Sequence, residues 1–297
     1  MVVKNLGIAG ICRNAAAPGG DRAEIGCIRS DQPRGRIGYA REMGFEFAGA
    51  TDVGRKRDHN EDSLLVVPEY SLAVVCDGMG GHEAGEVASG IGVETVKKFF
   101  DIANDPDATW PFRYDREKDE GTNLLSVAAQ WANQRIREAG DGTAQAAGKR
   151  GMGTTYVACL VREKKAWFGW VGDSRGYLWR RGELHPTTSD HSLLNELIKT
   201  GRLSDEEIAN FQHKNVITRA LGMADQTEVD VSAWDLESGD VCVVCCDGLT
   251  GMVTDERIAE ILAKEPELQK AAQQLIDEAN ANGGVDNITV GLVRIKD

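Results

Sequence analysis

The sequence predicts an α+β layered sandwich built on antiparallel sheet. Three observations lead there. Apolar, β-branched runs come in groups joined by connections too short for a crossover helix, which favours antiparallel pairing. Helical patterns are grouped as well, which disfavours an alternating βαβ fold. One pattern also occurs twice: Leu72 to Cys76 runs into Asp77-Gly78, and Val241 to Cys246 runs into Asp247-Gly248.

In chain order, residues 1–44 are rich in Gly, Arg and Ala without a sustained period and read as a loose extension. The apolar stretch from Leu6 to Cys12 is short, follows a single lysine and ends at Arg13, which argues against a secretory signal. The ordered domain spans 45–297. Its first strand is Phe45 to Thr51; Leu64 to Pro68 and Leu72 to Cys76 follow, split by a turn at Glu69-Tyr70. Ala84 to Ile102 reads as a helix with Val87, Ile91, Val96, Phe99 and Phe100 on one face. Asn104 to Gly121, charged and holding Pro106 and Pro111, is a surface loop. Leu124 to Ala139 is a second helix. Thr154 to Val161, Lys165 to Val171 and Gly176 to Arg180 are strands, the last ending at the Arg181-Gly182 turn. Trp167, Phe168 and Trp170 read as packing residues. A polar helix is expected over His191 to Gly201, and Ser204-Asp-Glu-Glu207 is a capping box. Val229 to Leu236 and Val241 to Cys246 are strands. Asp255 to Ala263 and Glu267 to Ala281 are helices, and Asn287 to Ile295 is the last strand.

The net charge of −13 argues against broad nucleic-acid binding, which needs a basic surface. Lys149-Arg150 and Arg180-Arg181 are short, solvated basic pairs. No apolar run reaches the length of a membrane span. Seven cysteines, mostly within apolar runs, fit reduced thiols and a cytoplasmic location. Cys242-Val-Val-Cys245 has no second pair, so it does not read as a zinc site.

A buried strand that ends on a carboxylate needs something there to repay the desolvation. Acids recur in turn or strand-end contexts: Glu61 and Asp62, Asp77, Asp173, Asp190, Asp247 and Asp286. Most lack a neighbouring histidine or cysteine, and such a hard oxygen set selects magnesium or manganese. Two such ions would acidify a water and clamp a phosphoryl group. A guanidinium suits the phosphate better than an ammonium, and Arg57 precedes Asn60-Glu61-Asp62.

The ordered set Gly54-Arg-Lys-Arg57-Asp-His-Asn60-Glu61-Asp62-Ser63, Val75-Cys-Asp77-Gly78-Met-Gly80-Gly81-His82, Gly153-Thr154-Thr155, Val171-Gly172-Asp173-Ser174-Arg175, Asp190-His191-Ser192, Cys246-Asp247-Gly248 and Asp286-Asn287-Ile288-Thr289 closely resembles the metal-dependent type 2C serine/threonine protein phosphatases in their bacterial form. The resemblance runs from about residue 45 to the end. It implies a four-layer α-β-β-α sandwich, two central antiparallel sheets flanked by helices, with a flap over about 193–220 beside a metal cleft. It implies that Asp77, Asp247 and Asp286 hold one ion. A second is bridged by Asp77, takes the Gly78 carbonyl and is steadied by Glu61 and Asp62. Asp173 with Asp247 is a weaker third site, and Arg57 binds the phosphate. The implied reaction is in-line attack on phosphoserine or phosphothreonine by a water activated by two manganese or magnesium ions. The implied partners are phosphorylated proteins and a cognate serine/threonine kinase, with the enzyme acting as a monomer. Met79 stands where some members carry a histidine proposed as general acid. Leaving-group protonation then falls to metal-bound water or a nearby group; His59 and His82 read as loop residues.

A non-catalytic phosphoprotein-binding relative would need a missing ligand, and none is missing. A two-metal phosphodiesterase would need a basic groove, which the acidic balance disfavours.

Overall fold

The computed structural model describes residues 10–11, 23–29, 44–80, 84–105, 109–142, 151–201, 203–209, 211 and 216–296. The strands are β1 (Gly10–Ile11), β2 (Ala23–Arg29), β3 (Phe45–Asp52), β4 (Asp62–Val67), β5 (Leu72–Met79), β6 (Gly153–Thr154), β7 (Tyr156–Arg162), β8 (Lys165–Val171), β9 (Arg175–Arg180), β10 (Glu183–Pro186), β11 (Asp230–Asp235), β12 (Val241–Cys245) and β13 (Ile288–Ile295). The helices are α1 (Ala84–Ala103), α2 (Glu120–Gly142), α3 (Leu193–Lys199), α4 (Asp205–Ala209), α5 (Asp247–Thr250), α6 (Asp255–Lys264) and α7 (Leu268–Ala281). Among the described residues no helix is long and apolar enough to cross a membrane.

Among the described residues two antiparallel sheets form. One runs β1-β4-β5-β7-β8-β11, with β6 beside β5; the other runs β10-β9-β12-β13-β3-β2. Strand alternation explains their stacking. On β4 and β5, Leu65, Val74 and Cys76 face α1 and α2, packing among Val96, Phe99, Leu125 and Ile136. Their neighbours Leu64, Val66, Ala73 and Val75 face the other sheet, against Phe47, Val244 and Val293. On the far side Val243, Val290 and Leu292 meet Ile258, Leu262, Leu275 and Ile276 of α6 and α7. The order is helix, sheet, sheet, helix. Central strands are covered on both faces, so they read as continuous apolar runs. Each large apolar side chain buried this way contributes about 1.5–3 kcal/mol.

The structure departs from expectation in four places. β5 continues past Cys76 to Met79, because the main chain of Asp77, Gly78 and Met79 finds partners at Thr155, Thr154 and Gly153. β10 closes a hairpin after Arg181-Gly182. Asp247 opens the short helix α5. Two pieces of the expected loose extension are strands, β1 along β4 and β2 along β3. Edge pairing of this kind uses main-chain hydrogen bonds, which composition does not reveal. The rest of the leader, His82 and Lys149-Arg150 lie outside the described residues. The capping box is formed: Glu207 N–H reaches Ser204 Oγ at 3.4 Å, and the Glu207 carboxylate accepts from Ser204 N–H at 2.8 Å.

Candidate active site

The inter-sheet core changes character at one end. Following alternate residues, Val66 and Leu64 lead to Asp62; Ala73 and Val75 lead to Asp77; Val293 and Gly291 lead to Thr289. The strands that build the apolar core therefore deliver polar side chains to its mouth.

The β4–β5 register sets Asp62 opposite Asp77. Like charges directly opposite on one face are destabilising unless something else compensates. Asp62 is 5% exposed. Its Oδ2 accepts from the Thr289 hydroxyl at 2.6 Å. Thr289 then has no proton left for Thr51, whose hydroxyl lies 2.7 Å away, so Thr51 donates to Thr289. Asn60 Nδ2 in turn donates to Thr51 at 2.8 Å. Asp62 Oδ1 is buried without a partner. The Asp77 main chain is clamped by Thr155, whose Oγ1 accepts from Asp77 N–H at 2.9 Å and whose N–H donates to Asp77 O at 2.8 Å. A Cβ on Gly78 would lie 2.1 Å from Gly85 O and 2.5 Å from Glu61 O, so only glycine fits.

Asn287 locks the opposite rim. Its Oδ1 accepts from Glu61 N–H at 2.8 Å, and its Nδ2 donates to Val53 O and His59 O at 2.9 Å each. The loop carrying Arg57 and Glu61 is thus tied to the start of β13. Asp286 Oδ1 accepts from Asn287 N–H and its Oδ2 from Arg57 Nη2, both at 2.8 Å. Gly248 passes so close that a Cβ would lie 1.9 Å from Asn287 O.

Asp173 follows Gly172, whose φ of +108° suits glycine. Ser174 Oγ sits 2.7 Å from Thr155 Oγ1, linking this turn to Asp77. Arg175 forks onto Asp190, with contacts of 3.0 and 2.8 Å. His191 is also buried here. Met79, half-buried, ends β5 opposite Gly153.

The acids act on one another. Burial holds Asp77 well above the usual carboxylate range, and the negative charges of Asp62, Asp247, Asp173 and Asp286 add to the effect. Burial pushes Asp62 up to about 7, opposed by the hydrogen bond from Thr289. Asp173 also stands at about 7, through burial and then Asp247 and Asp190. Asp247 is raised by burial and Asp286, while a hydrogen bond with Asp77, Arg175 and Arg57 oppose this. Glu61, half-buried, is raised chiefly by burial. Five aspartates thus share one field with two arginines at its edge. The chain alone can relieve that charge by taking up protons; a hard divalent cation relieves it without them. An oxygen-only donor set and the orphaned Asp62 Oδ1 fit magnesium or manganese. As they stand, no three acidic, histidine or cysteine side chains among the described residues are gathered closely enough to hold an ion. Asp286 is engaged by Arg57 instead.

Sequence reasoning missed the supports: the Asn287 side chain, Thr155, and the Asn60–Thr51–Thr289 chain. A polar residue breaking the alternation of β13, Thr289, was the available signal. The five cysteines with described side chains are buried and unpaired. Phe168 and Trp170 lie in the inter-sheet core, and Trp167 packs on the helical side.

Residues 57–288 match the family described as protein phosphatase 2C. The chain is 38% identical over 252 residues to the serine/threonine phosphatase stp of Listeria monocytogenes serovar 1/2a, covering 82% of this chain and 93% of that one. Its fold matches the serine/threonine phosphatase of S. agalactiae with a TM-score of 0.73 and 38% identity, over 84% of this chain and 99% of that one. The catalytic domain of the serine/threonine protein phosphatase PstP, in complex with two manganese ions, gives a TM-score of 0.70 and 32% identity, over 85% of this chain and 99% of that one.

Proposed function

Because the chain belongs to the protein phosphatase 2C family, we propose that it removes phosphate from phosphoserine and phosphothreonine in proteins, with divalent cations held in the acidic mouth. It is a protein-serine/threonine phosphatase. The observation that carries the finer reading is that the charges of Asp62, Asp247, Asp173 and Asp286 all bear on buried Asp77, with Arg57 beside them.

Asp77, Asp247 and Asp286 would hold one ion. Asp77 and the Gly78 carbonyl would hold a second, with Glu61 and Asp62 beside it, and Asp173 with Asp247 a weaker third. When bound, such ions supply Lewis acidity toward the phosphoryl group and lower the pKa of water. Arg57 binds substrate phosphate by turning its guanidinium from Asp286 to the phosphoryl oxygens, a charge-assisted contact that orients the ester. Thr289 fixes Asp62 through Oδ2 and leaves Oδ1 free. Asn287 holds the Arg57 loop in register with Asp286. Residues 193–220 act as the flap, and a cognate kinase supplies the phosphorylated substrates.

The test is manganese-titrated hydrolysis of a phosphothreonine peptide and of p-nitrophenyl phosphate. Asp247→Asn should lower the rate at least about a hundredfold, roughly 3 kcal/mol of transition-state stabilisation. An unchanged rate on the peptide refutes the assignment. Peptide binding without manganese-dependent turnover would favour a non-catalytic binder.

A further inference from the structure

We propose that His191, in one fixed tautomer, is a positioning residue that fastens the Gly172-Asp173 turn to both stems of the 193–220 segment, so that the flap and the Asp173 carboxylate are set together. This rests on the reading of that segment as a flap and of Asp173 as a ligand.

His191 is 5% exposed and stands at a crossing of three chain segments. Toward the Asp173 turn it makes two bonds to one residue. Its N–H donates to Gly172 O at 2.8 Å, and its Nδ1 accepts from Gly172 N–H at 3.1 Å. Toward the far stem, its carbonyl accepts from Thr218 N–H at 2.8 Å. The next residues continue that pairing: Ser192 bridges Ile217, and Leu193 N–H donates to Val216 O at 2.8 Å. The residues leading into the flap and those of its returning stem, 191–193 and 216–218, therefore form a short antiparallel clip, and His191 is where the clip meets the turn. From the side, Nε2 lies 3.0 Å from Asp230 Oδ2 at the start of β11, and Trp170 stacks on the ring at 6.1 Å between centroids.

The tautomer follows from these partners. Gly172 N–H needs an acceptor, so Nδ1 carries no proton. The neutral ring then carries its proton on Nε2, which donates to the Asp230 carboxylate. The Arg219 guanidinium, 3.5 Å from Nε2, finds its acceptor in Asp230 Oδ1 at 3.5 Å. Each ring nitrogen has one job, and the two jobs hold different segments. Gly172 cannot adapt freely: a Cβ there would lie 2.8 Å from Thr155 Cγ2, and Thr155 also clamps Asp77. Movement at the clip is thereby passed to the turn that presents Asp173.

Two substitutions separate the jobs. His191→Asn puts an amide oxygen where Nδ1 was, so it keeps the Gly172 bond and loses Asp230. His191→Gln reaches Asp230 with its amide nitrogen and leaves Gly172 N–H without its acceptor. Amide exchange at Gly172, across 191–219 and at Asp230, manganese binding by calorimetry, and kinetics on the phosphothreonine peptide and p-nitrophenyl phosphate are measured for the wild type and both variants. In His191→Gln, Gly172 should exchange about tenfold faster or more, and the weakest manganese step should weaken by a similar factor, as expected for one orphaned buried donor. In His191→Asn, Gly172 should stay protected while the amides at Asp230 and, through the Arg219–Asp230 pair, at 216–219 loosen, and the peptide-to-small-ester ratio of kcat/KM should fall. Ring nitrogen shifts in the wild type should show protonated Nε2 and bare Nδ1. A proton on Nδ1, or the same uniform loosening in both variants, overturns the proposal. If the wild type turns over neither substrate, the phosphatase reading fails, while the exchange and tautomer measurements still decide the role of His191.

Discussion

Replacing Asp62 with asparagine should stabilise the cation-free protein, which is unusual for a buried polar residue. Asp62 lies across from Asp77, accepts one hydroxyl bond from Thr289, and leaves its other oxygen buried without a partner. Its pKa is raised from 3.8 to about 7. A raised value means that the native state holds the proton more tightly than the unfolded chain. The group's contribution is then fully present below pH 3.8 and is lost as pH climbs through about 7. Moving a carboxyl that far corresponds to about 4 kcal/mol once it is ionised, an upper figure because the neighbouring acids titrate with it. Asparagine stays neutral, keeps an acceptor for Thr289, and turns its amide toward the Asp77 carboxyl. Urea unfolding in the presence of a chelator should show little gain at about pH 3.5. Above pH 7 the gain should reach about 2–4 kcal/mol. Adding manganese should stabilise the wild type and do so less for the variant, because the ion removes the repulsion that asparagine has already removed. A variant less stable than the wild type at pH 8, or an offset equal at both pH values, would show that Asp62 holds no uncompensated charge.

Two further changes probe how the rim is held. Asn287→Ala deletes three side-chain hydrogen bonds to the loop bearing Arg57, leaving Glu61 N–H and the carbonyls of Val53 and His59 unpaired. At about 1 kcal/mol each, urea unfolding should show a loss near 3 kcal/mol with weakened manganese binding, and a loss under about 1 kcal/mol would contradict the role given to Asn287. Gly248→Ala drives a methyl to within 1.9 Å of Asn287 O, a main-chain atom that cannot step aside alone. It should lose more than about 3 kcal/mol or fail to fold; a soluble variant of wild-type Tm would mean that the two turns do not cross as described.

The strands were legible because their burial is two-sided and their runs continuous, and the two Asp-Gly signals fell where two sheets end. What sits across from what was hidden. Asp77 read as the last residue of a strand, yet β5 runs on beside Thr154, since pairing partners 77 positions away leave no local trace. Arg57 read as a phosphate clamp, and its ion pair with Asp286 was not visible because it spans 229 positions. His191 stood in the Asp190-His191-Ser192 motif, but nothing there showed what it holds, because its partners are at 172, 218 and 230. A better rule was nonetheless present. On β4, β5 and β13 the residues facing the inter-sheet layer stay apolar until the same end of the sandwich, where Asp62, Asp77 and Thr289 replace them. Polar residues entering a two-sided apolar alternation on several strands at once cannot each be a surface turn. They must share one buried end, and a shared end lined by carboxylates has to be neutralised from outside the chain.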